Sequence, residues 1–389
     1  MTCQIKIPSS VYAGEGSIRE LETVLKKELA ESVILLTDRG IEKAGLLEPV
    51  REILDAAGVI YHVFKDIKSE PSYQEVDGIL EMVNHAEGDM ILAVGGGSVM
   101  DTAKLCSILK GSGDTVKSLL EHPRQCDKKR KTVMMPTTCG TGSEATANAI
   151  VAIPEANSKQ GIVDEMMIPD YVILEPQMIA GLPAPLVAAT GIDALAHAVE
   201  CFTSNKATPL SDTYALAGAK LIFGNLEKAY KNPDALEAKS NLMLGAFYGG
   251  AAIAGSGTTA VHALSYPLGG KYHIAHGVSN AILLAPVMAF NKDACIDRLA
   301  VLCDAVFPEF SYRDAEGKAD FMVKKIEELV ENINIPTDLG NYGVSMDDLE
   351  FLVDAGGKQQ RLLANNKKAL SREDIRNIYL KVLEREKEK

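Results

Sequence analysis

The sequence predicts an α/β N-terminal domain of the Rossmann-like kind followed by an all-helical C-terminal domain. In the first half of the chain, short apolar runs alternate with helical segments, which is the pattern of βαβ units and a parallel sheet. Pro183 and Pro185 then interrupt the chain, and the apolar spacing beyond them is helical almost throughout. We therefore divide the chain into residues 1–182, the α/β domain, and residues 183–389, the helical domain.

Length and charge narrow the class of protein. A chain of 389 residues suits two domains. Its 53 acidic and 40 basic residues give a net charge of −13, which opposes binding to nucleic acid or to an anionic membrane. The sequence shows neither a transmembrane-length apolar run nor a signal-peptide pattern. Seven cysteines without a C-x-x-C pair suit reduced thiols, so we expect a cytoplasmic protein that acts on a small molecule.

The N-terminal elements follow from apolar runs that end in turn residues. The intervals between these runs have helical spacing. This is expected because two adjacent parallel strands must be joined by a crossover connection, which is usually a helix. The predicted strands cover 32–37, 59–64, 90–94 and 132–135, and the predicted helices run to about 57, over 73–84 and up to 109.

The C-terminal elements are predicted from helical spacing alone. Ser371 followed by acidic residues is a typical helix start, because a serine caps the first backbone N–H groups. The predicted helices cover 186–204, 209–229, 235–254, 259–268, 276–290, 294–306, 318–332, 345–355 and 371–387.

Two glycine-rich loops follow predicted strands. The segment GGGSVMDTAK occupies 95–104, and its glycines allow the backbone to approach a ligand closely, while the following helix N-terminus favours phosphate. The segment PTTCGTGSE occupies 136–144 and offers hydroxyl groups between glycines. Either loop alone suits an ordinary turn. Both lie at carboxyl ends of strands, where open α/β sheets bind ligands, and together they predict a nucleotide site.

Four of the seven histidines lie between positions 197 and 276. Asp193 and His197 are four residues apart on a predicted helix, so they share one face. Together with His262 and His276 they supply one carboxylate and three imidazoles, a set that suits Fe²⁺ or Zn²⁺. A single histidine would be an ordinary core or surface residue, whereas the four together predict a metal or catalytic site.

These motifs resemble those of the iron-containing (group III) alcohol dehydrogenases, whose relatives are the zinc-dependent glycerol dehydrogenases and dehydroquinate synthase. The resemblance covers nearly the whole chain and adds PTTCGTGSEAT at 136–146, GIDALAHAVECF at 191–202 and HALSYPLGGKYHIAHG at 262–277. It implies the dehydroquinate synthase-like fold of that family. It also implies a metal, Fe²⁺ with Zn²⁺ as the alternative, on Asp193, His197, His262 and His276.

The resemblance further implies NAD(H) as the cofactor. Asp38 would face the adenosine ribose and disfavour a 2′-phosphate, although an aspartate there also suits a helix cap. Glu70 departs from the asparagine that many members have beside the adenine. The residues placed on the cofactor are Asp38, Gly96, Gly97, Ser98, Asp101, Thr137, Thr138, Thr141, Ser143 and Lys159.

The activity implied is the metal-dependent, NAD(H)-linked interconversion of a small primary alcohol and its aldehyde by hydride transfer. One alternative is a reductase of a small anionic aldehyde, of phosphonate or sulfonate type, with Lys271 as the cation. The helical segment 183–290 contains no arginine, which disfavours a strongly anionic substrate. The same residues also suit an enzyme of the glycerol dehydrogenase or dehydroquinate synthase type, or a non-catalytic nucleotide-binding protein.

Three further expectations concern single residues and assembly. His273 is assigned to proton relay or substrate contact, with a structural histidine as the alternative. Glu200, three residues after His197, either supports the metal ligands or is an ordinary carboxylate on a helix face. The family and the Gly/Ala-rich segment 244–255 predict a homodimer or a higher homo-oligomer, although such a segment equally suits a buried helix.

Overall fold

The computed structural model describes residues 2–384 of the chain. Within them, six strands form one parallel sheet in the order β1-β8-β5-β4-β2-β3, and β6 pairs with β7 in a separate antiparallel hairpin. The strands are β1 Ser10–Ala13, β2 Ser32–Leu36, β3 Ile60–Phe64, β4 Met90–Gly95, β5 Lys131–Pro136, β6 Asn148–Ile153, β7 Ser158–Val163 and β8 Tyr171–Leu174.

The α-helices surround the sheet and then build the second domain alone. Six precede the last strand of the sheet, and the others follow it. They are α1 Glu20–Glu28, α2 Arg39–Lys43, α3 Glu48–Ala56, α4 Tyr73–His85, α5 Gly97–Leu109, α6 Val116–Glu121, α7 Ala184–Thr203, α8 Pro209–Lys231, α9 Leu236–Ser256, α10 Ala260–Tyr272, α11 His276–Asn291, α12 Ile296–Val306, α13 Ala315–Asn332, α14 Leu349–Gly357, α15 Gln360–Leu363 and α16 Arg372–Glu384.

The central strands are buried on both faces of the sheet. Ile34 and Leu36 of β2 belong to one apolar cluster, whereas Val33 and Leu35 belong to the other. Successive side chains of a strand point to opposite faces, so a strand covered by helices on both sides needs an unbroken apolar run. The predicted fold class, an α/β domain joined to an all-helical domain, is confirmed.

Several elements differ from the sequence prediction. The helical stretch predicted up to residue 57 is two helices, because Gly45 between them has a positive φ of 75°. Strands β1 and β8 and the β6–β7 hairpin were not predicted, since their apolar runs are short or mixed with polar residues. The helix predicted over 371–387 is present from Arg372 to Glu384, and positions 385–387 lie outside the described residues.

Helix α7 is a long, apolar helix of the second domain. By length and composition it qualifies as a membrane span, yet 89% of the relevant window is buried inside the protein. Helices α8, α9 and α11 pack against it. Its apolar character is therefore explained by its place at the centre of the helical domain.

Candidate active site

A cleft of about 2200 Å³ separates the carboxyl edge of the parallel sheet from the helical domain. The two glycine-rich loops line its sheet side, and the predicted metal ligands line its helical side. The β6–β7 hairpin and segment 65–72 also contribute to the wall. The two predicted sites are thus parts of one cavity, as a reaction between a nucleotide and a second substrate requires.

The four predicted metal ligands come from three helices. Asp193 and His197 lie one turn apart on α7, His262 lies in the first turn of α10, and His276 opens α11. The Nε2 atoms of His197 and His262 are 2.9 Å apart. Asp193 Oδ1 lies 3.8, 3.7 and 3.6 Å from the Nε2 atoms of His197, His262 and His276. The structure brings all four together.

Burial and mutual charge set the protonation of this cluster. Burial lowers the pKa of His276 to about 3 despite the nearby Asp193 carboxylate, and the pKa of His197 is shifted in the same direction for the same reason. Burial opposes the charged form of Asp193, but the histidines outweigh it and hold its pKa below the usual range. His262 is shifted the other way: the Glu200 and Asp193 carboxylates outweigh burial and raise its pKa to about 9, so this imidazole must lose a proton when a metal ion binds.

Glu200 orients one of the histidines. It is fully buried, and its Oε2 contacts His262 Nδ1 at hydrogen-bonding distance. Its Oε1 accepts hydrogen bonds from Thr259 N at 3.0 Å and Val261 N at 2.8 Å. This contact turns His262 Nε2 towards the cluster, and a carboxylate on the far nitrogen is the usual support of a metal-ligating histidine. Of the two interpretations of Glu200, the geometry favours support of a ligand.

The donor set fits a divalent cation. Donors about 2.1 Å from one tetrahedral cation lie roughly 3.4 Å from one another, close to the distances found here. The amide Nδ2 of Asn280 lies 2.7 Å from Asp193 Oδ1, 3.2 Å from His262 Nε2 and 3.3 Å from His276 Nε2. Three lone pairs therefore converge on one small region. Sequence reasoning missed Asn280, although its position four residues after His276 on a helix was a usable signal.

The glycine-rich loops meet at the sheet edge. A Cβ on Gly97 would lie 2.7 Å from Thr141 Cγ2, so only glycine allows the two loops to touch. Thr137 is buried just beyond the end of β5, and its N–H donates to Gly95 O. The predicted cofactor residues of both loops line the cleft, namely Gly96, Gly97, Ser98, Asp101, Thr137, Thr138, Thr141 and Ser143.

Asp101 already has protein partners for both carboxylate oxygens. Oδ1 accepts from Ser143 Oγ at 2.5 Å and lies 3.0 Å from Lys104 Nζ, while Oδ2 accepts from Ile150 N at 2.9 Å. These contacts tie helix α5 to the second loop and to the hairpin. The predicted contact between Asp101 and the nicotinamide carboxamide stays a prediction.

Asp38 and Arg39 are both engaged at the far end of the cleft. Asp38 Oδ1 accepts from Ile41 N at 2.9 Å, which makes it the N-cap of α2, and Asp38 also lines the cavity. Arg39 Nε lies 2.6 Å from Asp66 Oδ1. The Arg39 guanidinium thus already has a carboxylate partner, in an ion pair that is exposed to solvent. Capping and cofactor selection by Asp38 are compatible.

Glu70 and Lys159 form an ion pair across the cleft. Lys159 Nζ lies 2.7 Å from Glu70 Oε1, and the lysine side chain is only 7% exposed. Glu70 has a positive φ of 51°, and its N–H donates to Ser98 Oγ at 2.9 Å. The ion pair joins segment 65–72 to the hairpin inside the region predicted for the cofactor.

His273 and Lys271 differ in their relation to the cleft. His273 ends α10 with a positive φ of 55°, and this exposed residue lines the cavity. Lys271 does not line it, because its Nζ lies 2.9 Å from Asp348 Oδ1 and 4.2 Å from the centre of the Phe351 ring. The interpretation of Lys271 as the cation for an anionic substrate is therefore not supported by its position.

Comparison with known proteins identifies the family. A family model described as iron-containing alcohol dehydrogenase matches residues 8–176, and the C-terminal model of the same family matches residues 187–383. Long-chain-alcohol dehydrogenase 1 of Geobacillus thermodenitrificans is 34% identical over 379 residues, 97% of this chain and 95% of that protein.

Solved structures agree with this comparison. One of 1,3-propanediol oxidoreductase has a TM-score of 0.92 at 27% identity and covers 98% of this chain and 100% of its own. One of sulfoacetaldehyde reductase from Bifidobacterium kashiwanohense, in complex with NAD⁺, has a TM-score of 0.88 at 25% identity, with 98% and 99% covered.

The chain belongs to the iron-containing alcohol dehydrogenase family. It is an oxidoreductase of the iron type, and the family implies a bound metal and NAD(H)-linked conversion between alcohols and aldehydes. The resemblance inferred from the four motifs is confirmed.

Proposed function

We propose that the protein interconverts a small primary alcohol and its aldehyde, with NAD(H) as cofactor and Fe²⁺ held by Asp193, His197, His262 and His276. One observation carries the proposal. Donor atoms of Asp193, His262 and His276 lie within 4.8 Å of one another, and His197 Nε2 lies 2.9 Å from His262 Nε2. All four residues line a cavity whose opposite wall is formed by the two glycine-rich loops. Zn²⁺ is the alternative metal, because the same donors bind it more tightly by the Irving–Williams order.

The bound cation would supply Lewis acidity to the substrate oxygen, and the nicotinamide would accept or donate the hydride. The chain's own residues do the rest. Glu200 holds His262 in the orientation that leaves Nε2 free for binding. The glycine-rich loops let the backbone approach the dinucleotide. His273 is proposed to exchange the alcohol proton with solvent, since it is both exposed and on the cavity wall.

The relatives do not agree on a substrate. Their names refer to long-chain alcohols, 1,3-propanediol and sulfoacetaldehyde. The shared element is an alcohol or aldehyde beside a nicotinamide, which favours a dehydrogenase over an enzyme of the dehydroquinate synthase type.

The test is NADH consumption by Fe²⁺-loaded protein with a panel of short aldehydes, matched by NAD⁺ reduction with the corresponding alcohols. We expect turnover in both directions, loss after chelation and recovery when Fe²⁺ is restored. A parallel sample reloaded with Zn²⁺ separates the two metals. If no aldehyde or alcohol changes the nicotinamide absorbance in metal-loaded protein, the proposed function is wrong.

Removal of one proposed ligand gives a sharper test. His262→Ala or His276→Ala should lower the bound metal below about one equivalent per ten chains and reduce kcat at least about 100-fold, because metal retention and Lewis acidity fall together. NADH binding, followed by fluorescence, should stay within a few-fold, since the glycine-rich loops lie on the other wall. Full activity in a metal-free His262→Ala protein would contradict the ligand assignment.

A further inference from the structure

Arg361 places an unpaired guanidinium on the wall of the cleft. It comes from the short helix α15, far along the chain from the segment that carries the ligands. Five neighbouring cleft cations have carboxylate partners: Lys6, Arg39, Lys65, Lys68 and Lys159. Among the described residues, Arg361 has no carboxylate within ion-pair distance. Arg361 is exposed to solvent at the cleft, so its charge is available to an anionic ligand in a chain of net charge −13.

The position of Arg361 relates it to the metal-binding end of the cleft. Helix α15 packs against α10, which carries His262 and, one turn later, Tyr266. The Tyr266 ring lies 6.2 Å from the His276 ring, and Tyr266 lines the cavity. Burial raises the pKa of the Tyr266 phenol to about 12, and the Arg361 charge acts in the opposite direction.

The hairpin leaves room for the guanidinium. A Cβ at Gly161 of β7 would lie 3.1 Å from Arg361 Nη2 and 3.0 Å from Ile150 Cδ1. Gly161 has an ordinary φ, so its lack of a side chain matters for space rather than for backbone conformation. Ile150 in turn donates to Asp101, the residue predicted at the nicotinamide end of the cofactor. Arg361 thus borders the hairpin on one side, and its helix packs on the other side against α10, which carries His262.

We propose that Arg361 binds a terminal oxyanion of the substrate, so that the preferred substrates are short aldehydes or alcohols that also carry a carboxylate, sulfonate or phosphonate. A planar guanidinium with several donors matches such a group in a bidentate manner, which a lysine does not. The inference rests on the proposed function and names its substrate class. The oxyanion takes no part in the bond changes: the aldehyde carbon gains a hydride from NADH, its oxygen gains a proton, and NAD⁺ leaves.

The lack of arginine in residues 183–290 does not weigh against an anionic substrate, because the structure brings the relevant cation from outside that interval. Lys206 offers a matched control. It also lines the cleft and has no carboxylate partner among the described residues, yet it follows α7 rather than packing on α10.

The test compares 4-oxobutanoate with butanal, a neutral aldehyde of the same chain length, in Fe²⁺-loaded protein; sulfoacetaldehyde and phosphonoacetaldehyde distinguish the three oxyanions. We expect wild-type kcat/KM to be higher for at least one anionic aldehyde than for butanal. Arg361→Met should lower kcat/KM for that anionic aldehyde about 10–100-fold and change kcat/KM for butanal less than about twofold. The kcat/KM of Arg361→Lys for the anionic aldehyde should fall between these values, and Lys206→Met should leave the ratio of kcat/KM for the anionic aldehyde to that for butanal unchanged.

Two results would overturn the inference. If Arg361→Met lowers kcat/KM equally for the anionic aldehyde and for butanal and also raises KM for NADH, the guanidinium contacts the cofactor pyrophosphate instead. If the wild type prefers butanal to every anionic aldehyde, no oxyanion site exists. Both results leave the proposed dehydrogenase function intact, whereas absence of turnover with all aldehydes would reject that function itself.

Discussion

At the scale of single residues, a buried carboxylate orients one histidine of the proposed metal site. One oxygen of Glu200 accepts from backbone N–H groups at the start of α10, and the other contacts His262. The carboxylate is fully buried. The backbone N–H groups fix the position of the Glu200 carboxylate, and the fixed carboxylate in turn orients the His262 ring.

Glu200→Gln should lower metal affinity about 10–100-fold, because the neutral amide binds His262 Nδ1 less strongly and loses charge–dipole contacts. At saturating Fe²⁺ most of the kcat should return. Titration of apoprotein with Fe²⁺, read by metal content and activity, measures the effect. An unchanged affinity together with lowered thermal stability would show that Glu200 only stabilises the fold.

Cofactor choice is also expected to depend on one residue. Asp38→Asn keeps the N-cap on Ile41 but removes the charge, whereas Asp38→Gly removes both. If the carboxylate repels a 2′-phosphate, the wild type should prefer NADH at least about tenfold, and both variants should narrow that ratio through KM for NADPH. The comparison of kcat/KM for both cofactors measures it. If neither variant changes the ratio of kcat/KM with NADH to kcat/KM with NADPH, Asp38 acts only as a helix cap.

At the scale of elements, the site needs helices that approach closely. Helix α11 begins at His276, and a Cβ on the next residue, Gly277, would overlap the carbonyl oxygen of Ala189 on α7. The glycine therefore sets the distance between the helix that carries Asp193 and the helix that carries His276. The new Cβ would meet backbone atoms of α7, so no change of side-chain rotamer could relieve the overlap.

Gly277→Ala should destabilise the protein by about 1–3 kcal/mol and weaken metal binding, because α11 must move away from α7. Gly224→Ala is the matched control: it lies in the exposed interior of α8 with no atom within 4 Å of a new Cβ. Gly224→Ala should raise the free energy of unfolding of the protein by about 0.5–1 kcal/mol, since glycine weakens a helix interior. Urea unfolding and metal titration of both variants measure the difference. Equal effects would contradict the close-contact argument.

At the scale of the whole molecule, the Gly/Ala-rich segment 244–255 packs within its own chain. It belongs to α9, which packs against α7 and α8, and most of its residues are buried. Of the two interpretations of this segment, the buried helix is correct, so the segment gives no independent support to self-association. The homo-oligomer therefore stays a prediction based on the family resemblance.

Multi-angle light scattering at micromolar concentration tests the assembly. A homodimer has twice the chain mass of 41.7 kDa, and we expect at least that mass in dilute buffer and after chelation of the metal. Because the proposed metal ligands and the glycine-rich loops all come from one chain, dilution to monomer should not remove the metal. A mass of one chain across the concentration range would reject the predicted oligomer.

The fold class, the two loops and the four proposed ligands could be predicted from the sequence. Apolar periodicity, glycine runs and the i, i+4 spacing of Asp193 and His197 are local signals, and they survive folding because they depend on neighbours in the chain. Three contacts became visible only in three dimensions: Glu200 holds His262, Asp348 engages Lys271, and Arg361 lines the cleft. Each of them joins separate segments whose approach depends on helix packing and strand order, and no local pattern records that approach.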